Sequence, residues 1–423
     1  MAGRRSTVAR GAAAGLLAAV LALAGCAAPE PAGPATGEIQ GLLDRHARAL
    51  LDRDETGYLA ALDPALAPAA RTEFDRLAEI PLGGWTYRVT DLDRTGEGRA
   101  TARAELGYRI KGYDSGPATT ERVLDLAERD GRWYVTGDRA ADGAPQQLWQ
   151  QGEVTTVTGR RSLVLGVGQS RERLREIAAA ADRAVPAVGD AWRGNWAGRV
   201  VVLVPASIEA MGRLLGGPAA SYRGIAAVTT GRAGGGPTAP ADRVIVNPDA
   251  YAVLGAFGRQ MVLTHETTHV ATRVQTTTAT PVWLSEGFAD WVAYRGTDRT
   301  AAQAAPELRR SVRAGELPAE LPDDGAFTFG GDAEAMARAY EGGWLACELI
   351  ADRWGEEGLT AFYRAVGVHP GREGAVEKAL RDVLDTTPED FTADWRAYLT
   401  ERLGQGPGGT SRTRPGARPE GAS

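Results

Sequence analysis

The sequence is poor in lysine and in cysteine. Lys111 and Lys378 are its only lysines, and Cys26 and Cys347 are its only cysteines, in a chain of 423 residues. We interpret the preference for arginine over lysine as a coding bias. The formal net charge is −6, and no basic patch of the kind that binds nucleic acids is present, so a nucleic-acid partner is excluded. The length is sufficient for two or three domains with proper cores.

The apolar run near the N-terminus has the features of an export signal. Arg4, Arg5 and Arg10 precede an apolar segment at 12–24, which is too short to span a membrane comfortably. The segment leads into the sequence LAGC, which ends at Cys26 and resembles the lipobox of bacterial lipoproteins. This resemblance implies cleavage before Cys26, acylation of that cysteine, and a lipid anchor at the extracytoplasmic face of the cell membrane. The alternative is an ordinary signal peptide followed by an incidental cysteine.

A lipidated Cys26 would leave one free thiol. Cys347 lies in the apolar run WLACELI, where we interpret it as a small buried residue. The exported protein is therefore expected to have no intramolecular disulfide.

Composition and periodicity divide the chain into segments. The signal peptide covers residues 1–25, and a tether rich in Pro, Ala and Gly follows at 26–37. Two domains of the α+β class are predicted, at 38–150 and at 153–404, and a linker is predicted near 140–152, where the first domain leads into the second. Residues 405–423 have the composition of a disordered tail.

The first domain is predicted to be a helix followed by an antiparallel sheet. Apolar residues recur at helical spacing over 38–52. The stretches WTYRVTDL and ATARAELGYRI alternate with period two, and RVLDLAERDGRWYVTGD predicts a hairpin that turns at Asp130 and Gly131. This layout resembles the cone-shaped nuclear-transport-factor-like fold, whose members serve as ligand pockets, enzymes or association modules. No acid–base cluster is visible in it, and His46 is interpreted as a packed histidine.

The stretch VLTHETTHVATR carries the main functional signal of the second domain. It places His265, Glu266 and His269 in the spacing H-E-x-x-H. Apolar residues at helical spacing predict a single helix over 251–273. On this helix, His265 and His269 stand one turn apart on the same face, so both imidazoles can reach one metal ion. Glu266 is adjacent to that face and is the candidate general base.

Two histidines leave a metal site incomplete, and Glu286 is the candidate third ligand. It lies in PVWLSEGFADWVAYR, where a helix is predicted to start near Leu284. Two histidines and one glutamate with an open fourth position form a common catalytic zinc set. Asp290, one turn after Glu286, could accept the outer N–H of a ligating histidine. The alternative for Glu286 is a carboxylate that stabilises the start of its helix.

These motifs resemble those of the gluzincins, the metallopeptidase group that includes thermolysin and the zinc aminopeptidases. WLSEGFA at 283–289 is close to the aminopeptidase sequence WLNEGFA, and Glu286 with Asp290 matches the thermolysin-like Glu-x-x-x-Asp pattern. The resemblance implies a mixed sheet with an active-site helix, a later helical subdomain, and Zn²⁺ as the cofactor. AYEGGWLACELI resembles the start of an aminopeptidase helix and implies that Tyr340 stabilises the transition state. The alternative for Tyr340 is a packed aromatic residue.

The chain departs from the aminopeptidases at two positions. Gly342 stands where they carry a lysine. The strand predicted at YRGIAAVTT contains Gly224-Ile-Ala-Ala, without the glutamate that binds the free α-amine of an aminopeptidase substrate. The sequence therefore favours an endopeptidase, or an enzyme of another specificity, over an aminopeptidase.

The leading interpretation is a membrane-anchored extracellular zinc metallopeptidase that acts on a peptide or protein. A competing interpretation is a non-catalytic zinc-containing lipoprotein that serves as a binding module. Glu266 argues against it, because a structural zinc site does not need a base. A third interpretation makes the N-terminal domain the enzyme. The sequence indicates neither the oligomeric state nor which peptide is recognised.

Overall fold

Two separate β-sheets organise the part of the chain that the structure, a computed structural model, describes: residues 34–231, 239–328 and 332–404. A four-stranded sheet comes first, and a five-stranded sheet with associated helices follows it. This mixed α+β architecture agrees with the predicted fold class at a coarse level. Within the described residues, no helix has the length and hydropathy of a membrane span. The predicted signal peptide, Cys26 and the predicted tail lie outside the described residues.

Helices that open the N-terminal region pack on its sheet. They are α1 (Pro34–Leu51), α2 (Glu55–Leu59) and α3 (Ala67–Ala78). Leu43 and Leu50 on the inner face of α1 are each 1% exposed, because apolar residues recur there at helical spacing. The predicted tether at 26–37 extends too far along the chain, since residues 34–37 already belong to α1. Proline is compatible with a first helical turn, where its missing N–H would have no partner within the helix.

The first sheet is antiparallel, and its strands lie side by side in sequence order. They are β1 (Leu82–Gly96), β2 (Arg99–Ile110), β3 (Ala118–Arg129) and β4 (Arg132–Ala140). Ala102 and Ala104 on β2 are buried while Arg103 between them is exposed, the alternation of a sheet with one face on a core. Strands β3 and β4 form the predicted hairpin. Asp130 and Gly131 in its turn have φ of 49° and 70°, as a two-residue hairpin turn requires.

The second sheet is mixed, and its strands are short. They are β5 (Val154–Thr158), β6 (Ser162–Val167), β7 (Val200–Val204), β8 (Ala227–Thr230) and β9 (Arg243–Val246). Their order is β5-β6-β7-β9-β8, with a parallel centre of β6, β7 and β9 and antiparallel strands at both edges. Strand β8 is shorter than predicted, because a 3-10 helix at Ala219–Tyr222 and a positive φ of 84° at Gly224 precede it. Glycine adopts that conformation without steric cost.

The helices that accompany the second sheet include the one that carries the H-E-x-x-H motif. They are α4 (Arg171–Ala191), α5 (Ile208–Leu215), α6 (Pro248–Ala252), α7 (Ala256–Thr272) and α8 (Val282–Tyr294). The single helix predicted over 251–273 is wrong, because the chain breaks at 253–255 between α6 and α7. Gly255 lies in this break as the N-cap of α7, which agrees with its low helix propensity.

The rest of the described chain is mainly helical. It contains α9 (Ala301–Ala304), α10 (Pro306–Arg313), α11 (Ala333–Gly367), α12 (Ala375–Leu384) and α13 (Pro388–Gly404). Helix α11 is kinked at Gly355, whose φ of 78° is not helical. Tyr340 lies about two turns inside α11 and not at the start of its helix as predicted. The helix begins earlier because Asp332 caps it, accepting a hydrogen bond from the Glu334 N–H at 3.0 Å.

The two sheets share a hydrophobic core across the predicted domain boundary. Trp149, in the segment 140–152 that was predicted to be a linker, has its ring centroid 5.5 Å from that of Trp85 and 5.0 Å from that of Tyr108. The same buried cluster includes residues from three strands of the second sheet: Leu163, Leu165, Val201, Leu203 and Ile245. The connecting segment is therefore packed between the two sheets and is not a free linker.

The opposite face of the second sheet packs on helices. Val164, Val202 and Val244 belong to a separate cluster with residues of α4 and α7. The second sheet is thus buried on both faces, by helices on one side and by the N-terminal region on the other.

Candidate metal centre

Helices α7 and α8 bring His265, His269 and Glu286 to one point. The Nε2 atoms of the two histidines are 3.1 Å apart. The Oε2 atom of Glu286 lies 3.2 Å from Nε2 of His265 and 3.4 Å from Nε2 of His269. Ligand atoms about 2.0–2.1 Å from a tetrahedral zinc ion are separated from one another by about 3.3–3.4 Å. The triangle formed by these three atoms therefore fits zinc.

The arrangement of charge also favours a cation at this point. Nδ1 of His265 donates to Oδ1 of Asp290 at 2.7 Å, which leaves a lone pair on Nε2 facing the Glu286 carboxylate. Two lone pairs at this distance repel each other unless a proton or a metal ion lies between them. Burial works to lower the pKa of His265, but the Asp290 and Glu286 carboxylates together hold it well above its ordinary value. The negative charge around the imidazole thus creates a site for a positive charge.

Glu286 is held in its ionised form. Burial works to raise its pKa, but the neighbouring His269 and His265 lower the pKa below its ordinary value. The side chains of His265 and Glu286 remain 15% and 18% exposed, so solvent reaches the centre. Among the described residues the donor set consists of three ligands, whereas structural zinc sites are closed by four. The donor set and its access to solvent fit a metal site with an open coordination position.

Glu266 is oriented by a residue of the edge strand β8. Its Oε2 accepts a hydrogen bond from Oγ1 of Thr229 at 2.6 Å, and the same hydroxyl lies 3.1 Å from the Glu266 carbonyl oxygen. Glu266 is only 7% exposed. Thr229 lies in no recognisable sequence motif. The only signal was the alternation along β8, which places Thr229 on the same face as Ala227, towards α7.

Tyr340 lies close enough to the candidate metal centre for the carboxylates there to affect the pKa of its hydroxyl. Its ring packs edge-on against Phe327, with the centroids 5.0 Å apart. Burial raises the pKa of its hydroxyl well above the ordinary value, and the carboxylates of Glu286, Asp290 and Glu266 raise the pKa further. The phenol therefore keeps its proton and can act as a hydrogen-bond donor.

A close backbone contact between α8 and α11 brings the helix of Tyr340 to the centre. A Cβ atom added at Gly287 would lie 2.2 Å from the carbonyl oxygen of Gly343, and one added at Gly343 would lie 2.7 Å from that of Trp283. A side chain at either glycine would push the two helices apart. Gly287 follows Glu286 directly, so the same contact fixes a metal ligand and the helix that carries Tyr340.

Gly342 packs closely against the side chains of Trp395 and Pro322. A Cβ atom there would lie 3.3 Å from the ring of Trp395 and 3.4 Å from Pro322. The carbonyl oxygen of Gly342 accepts a hydrogen bond from Nε1 of Trp395 at 3.2 Å. A side chain at this position would therefore require the ring of Trp395 to shift by a few tenths of an ångström.

The N-terminal region contains further titratable groups, which form a cluster that the sequence does not reveal. The rings of His46 and Tyr58 stack with centroids 4.1 Å apart, and Nδ1 of His46 donates to the Tyr58 carbonyl at 2.9 Å. Burial lowers the pKa of His46 to about 4. Nearby, Arg122 and Asp138 form an ion pair at 2.6 Å. These contacts are those of a packed neutral histidine and a structural ion pair.

Comparison with known proteins gives distant similarities only. No family model and no curated protein matches the chain. The structure of native yeast LTA4 hydrolase is similar with a TM-score of 0.35 at 13% identity, covering 68% of this chain and 45% of that one. A mutant of a two-domain M1 zinc metallopeptidase bound to L-arginine has a TM-score of 0.35 at 14% identity, covering 74% of this chain and 62% of that one.

A third similar structure is a variant of a protein of unknown function from Mycobacterium tuberculosis. It has a TM-score of 0.20 at 18% identity and covers 26% of this chain and 72% of that one. This chain spans less than two thirds of the length of the LTA4 hydrolase and of the M1 metallopeptidase. Similarity at this level identifies neither family nor activity, so the function is argued from the metal centre.

Proposed function

We propose that this chain is a zinc-dependent metallopeptidase of the gluzincin type. The observation that carries the proposal is the triangle of His265 Nε2, His269 Nε2 and Glu286 Oε2, with sides of 3.1, 3.2 and 3.4 Å. These atoms supply the donor set of a catalytic zinc site, and Glu266 on the same helix supplies a base that a structural site would not need.

Each residue around the centre has a defined task in peptide hydrolysis. When bound, zinc supplies a Lewis acid that polarises the scissile carbonyl and lowers the pKa of water. Asp290 fixes the tautomer and the orientation of His265, so that Nε2 keeps the lone pair for the metal. Glu266 accepts a proton from the attacking water and delivers it to the leaving amine. Thr229 keeps the Glu266 carboxylate in place. Tyr340 donates a hydrogen bond to the carbonyl oxygen as its negative charge develops.

The substrate is proposed to be a peptide that pairs with β8. This strand is the edge of the second sheet and lies beside Glu266. A peptide segment can add to such an edge through main-chain hydrogen bonds. Gly224-Ile-Ala-Ala, which leads into the strand, contains no acid to bind a free α-amine, which favours an endopeptidase.

The location of the enzyme is a separate proposal that rests on the sequence near Cys26. We propose that the chain is exported, lipidated at Cys26 and anchored at the extracytoplasmic face of the cell membrane. The substitution Cys26→Ala should move the protein from the membrane fraction to the soluble fraction. If the variant remains with the membrane, the anchor is not at Cys26.

The substitution Glu266→Gln tests the proposed reaction. It removes the base but keeps the size of the side chain and an oxygen that can accept from Thr229. We expect the variant to keep the zinc content of the unmodified protein and to lose turnover in a screen with proteome-derived peptides. If the unmodified protein binds zinc but cleaves no peptide in that screen, the competing role as a zinc-containing binding protein is favoured.

A further inference from the structure

We propose that the N-terminal region positions the catalytic base. In this proposal Asp114 holds strand β9, β9 holds the edge strand β8, and Thr229 on β8 orients Glu266. The inference rests on the proposed peptidase function, and it makes Asp114 a positioning residue that acts from the other side of the sheet.

Asp114 is fixed by hydrogen bonds on both carboxylate oxygens. Its side chain is 0% exposed. Nη1 and Nη2 of Arg243 donate to its two oxygens, each at 2.8 Å. The backbone N–H of Ala241 donates at 2.9 Å, and that of Ile110 at 2.6 Å. A buried two-point ion pair with two further donors allows one relative position of the groups it joins.

The loop that carries Asp114 contacts the second sheet at further points. The N–H of Gly116 donates to the carbonyl of Ala239 at 3.3 Å. Arg199, which precedes β7, donates to the carbonyl of Gly112 at 2.7 Å. The loop at 112–116 therefore bridges the starts of two neighbouring parallel strands, β7 and β9.

A short path leads from Arg243 to the catalytic base. Arg243 pairs with Thr230 of β8, whose hydroxyl lies 3.2 Å from the Arg243 amide nitrogen and 3.3 Å from its carbonyl oxygen. The preceding residue, Thr229, donates to Glu266 at 2.6 Å. Strand β8 is a short edge strand that pairs with β9, so its position depends on β9.

Asp242, the residue before Arg243, contacts the end of helix α7. Asp242 forms an ion pair with Nε of Arg273 at 2.6 Å, and Arg273 directly follows α7. A Cβ atom at Gly231, just after β8, would lie 2.0 Å from Oδ1 of Asp242, so the chain passes tightly over this pair. The start of β9 is thus held between the N-terminal region and the helix that carries both histidines.

Two substitutions and one control test the proposal. Asp114→Asn removes the negative charge, and Arg243→Lys keeps the positive charge but loses the two-point contact. The control is Asp138→Asn, which breaks an ion pair of the N-terminal region with an equally buried arginine: the side chains of Arg122 and Arg243 are 8% and 9% exposed. Asp138 lies on β4 and pairs within the first sheet.

The first readout is amide hydrogen exchange in the zinc-loaded protein. We expect exchange in peptides covering 225–231 to become at least about tenfold faster in Asp114→Asn and Arg243→Lys, because β8 loses its fixed support. Exchange in α7 and the zinc content should stay unchanged, and Asp138→Asn should leave β8 unchanged. Unchanged exchange of β8 in a folded Arg243→Lys variant would overturn the proposal, even if Asp114→Asn fails to fold.

The second readout is the turnover of the same variants. We expect kcat to fall about tenfold, since a displaced base costs rate, and KM to rise as well, because the proposed substrate pairs with the strand that is loosened. In a Thr229→Val background, Asp114→Asn should lower kcat much less, because both changes act through Glu266. If Thr229→Val and Asp114→Asn instead lowered kcat by independent factors that multiply in the double variant, the path through Thr229 would be overturned. If the unmodified protein cleaves no peptide, the proposed function fails, while the exchange of β8 still decides whether Asp114 supports this strand.

Discussion

The two faces of the five-stranded sheet are both buried, but they support different tasks. The face towards α4 and α7 carries Thr229 and lies beside the metal centre. The other face packs on aromatic residues of the N-terminal region, including Trp85, Tyr108 and Trp149. Along β6 and β7 every residue is buried, as in strands covered on both sides. The N-terminal region therefore supplies half of the support of this sheet, while the residues of the candidate metal centre lie on the helix face.

This division leads to opposite expectations for the two faces. Removal of the candidate ligand side chains on α7 and α8 should alter zinc binding or turnover with little effect on folding. Changes on the other face should alter the free energy of unfolding with little effect on turnover. The contact between Asp114 and Arg243 is the expected exception.

The largest effect is expected from loss of a metal ligand on the helix side. Glu286→Ala should remove zinc from the purified protein and abolish turnover, because two imidazoles alone hold the ion weakly. The fold should persist, since the Glu286 side chain is partly exposed. Zinc content and the unfolding transition measure both expectations. An alanine variant with full zinc content would show that Glu286 is not a ligand.

The next largest effect is expected on the opposite face. Trp149→Ala should lower the free energy of unfolding by about 3–5 kcal/mol, the usual cost of deleting a buried tryptophan side chain. Trp149 is 3% exposed. Denaturant unfolding measures the loss, and kcat of the folded fraction should stay near that of the unmodified protein. A large fall in kcat without a change in stability would contradict the expectation that this face of the sheet supports stability and the helix face supports turnover.

Tyr340 should affect turnover alone. Tyr340→Phe keeps the ring against Phe327 but removes the hydroxyl. We expect kcat to fall by roughly 10²–10³, the scale of losing one oxyanion donor, with KM and zinc content unchanged. Steady-state kinetics measure the effect. Full turnover in this variant would make Tyr340 a packed aromatic residue.

The smallest effect is expected at Glu341, the residue after Tyr340. Its carboxylate accepts from the N–H groups of Glu307 and Leu308 at 3.3 and 2.5 Å, and burial raises its pKa from 4.5 to about 7. A carboxyl with a raised pKa in the folded state binds a proton that the unfolded chain has already released. The protein therefore loses stability as the pH rises from about 4.5 to about 7.

Glu341→Gln removes this titration but keeps a group that can accept the same hydrogen bonds. Relative to the unmodified protein, the variant should become more stable as the pH rises through this window. Denaturant unfolding at several pH values measures the difference. A difference that does not change with pH would show that Glu341 does not titrate in this range.

The parts of the site that the sequence could predict are local in the chain. His265 and His269 stand one turn apart on α7, and Glu286 and Asp290 stand one turn apart on α8, so periodicity alone gives their relative positions. Thr229 and Asp114 could not be predicted in the same way. Asp114 and Arg243 are 129 positions apart, and a lone polar residue in a loop carries no signal of a distant partner.

The fold, too, could be predicted only where its sequence signals are local. The alternation along β2 and the turn at Asp130 and Gly131 predicted the first sheet, since both signals are local. The break before α7 was missed because apolar residues at helical spacing run through Leu254 and obscure the low helix propensity of Gly255. The packing of Trp149 between the sheets was missed because the segment around it has no periodicity to indicate burial.

Zinc K-edge X-ray absorption of the purified protein tests the central claim most directly. With one zinc ion per chain, we predict a first shell of nitrogen and oxygen at about 2.0–2.1 Å and the outer-shell scattering of two imidazoles. In His269→Ala the scattering of one imidazole should disappear, and the zinc content should fall. Purified protein that binds no zinc, or a spectrum that His269→Ala leaves unchanged, would contradict the assignment of His265, His269 and Glu286 as the metal centre.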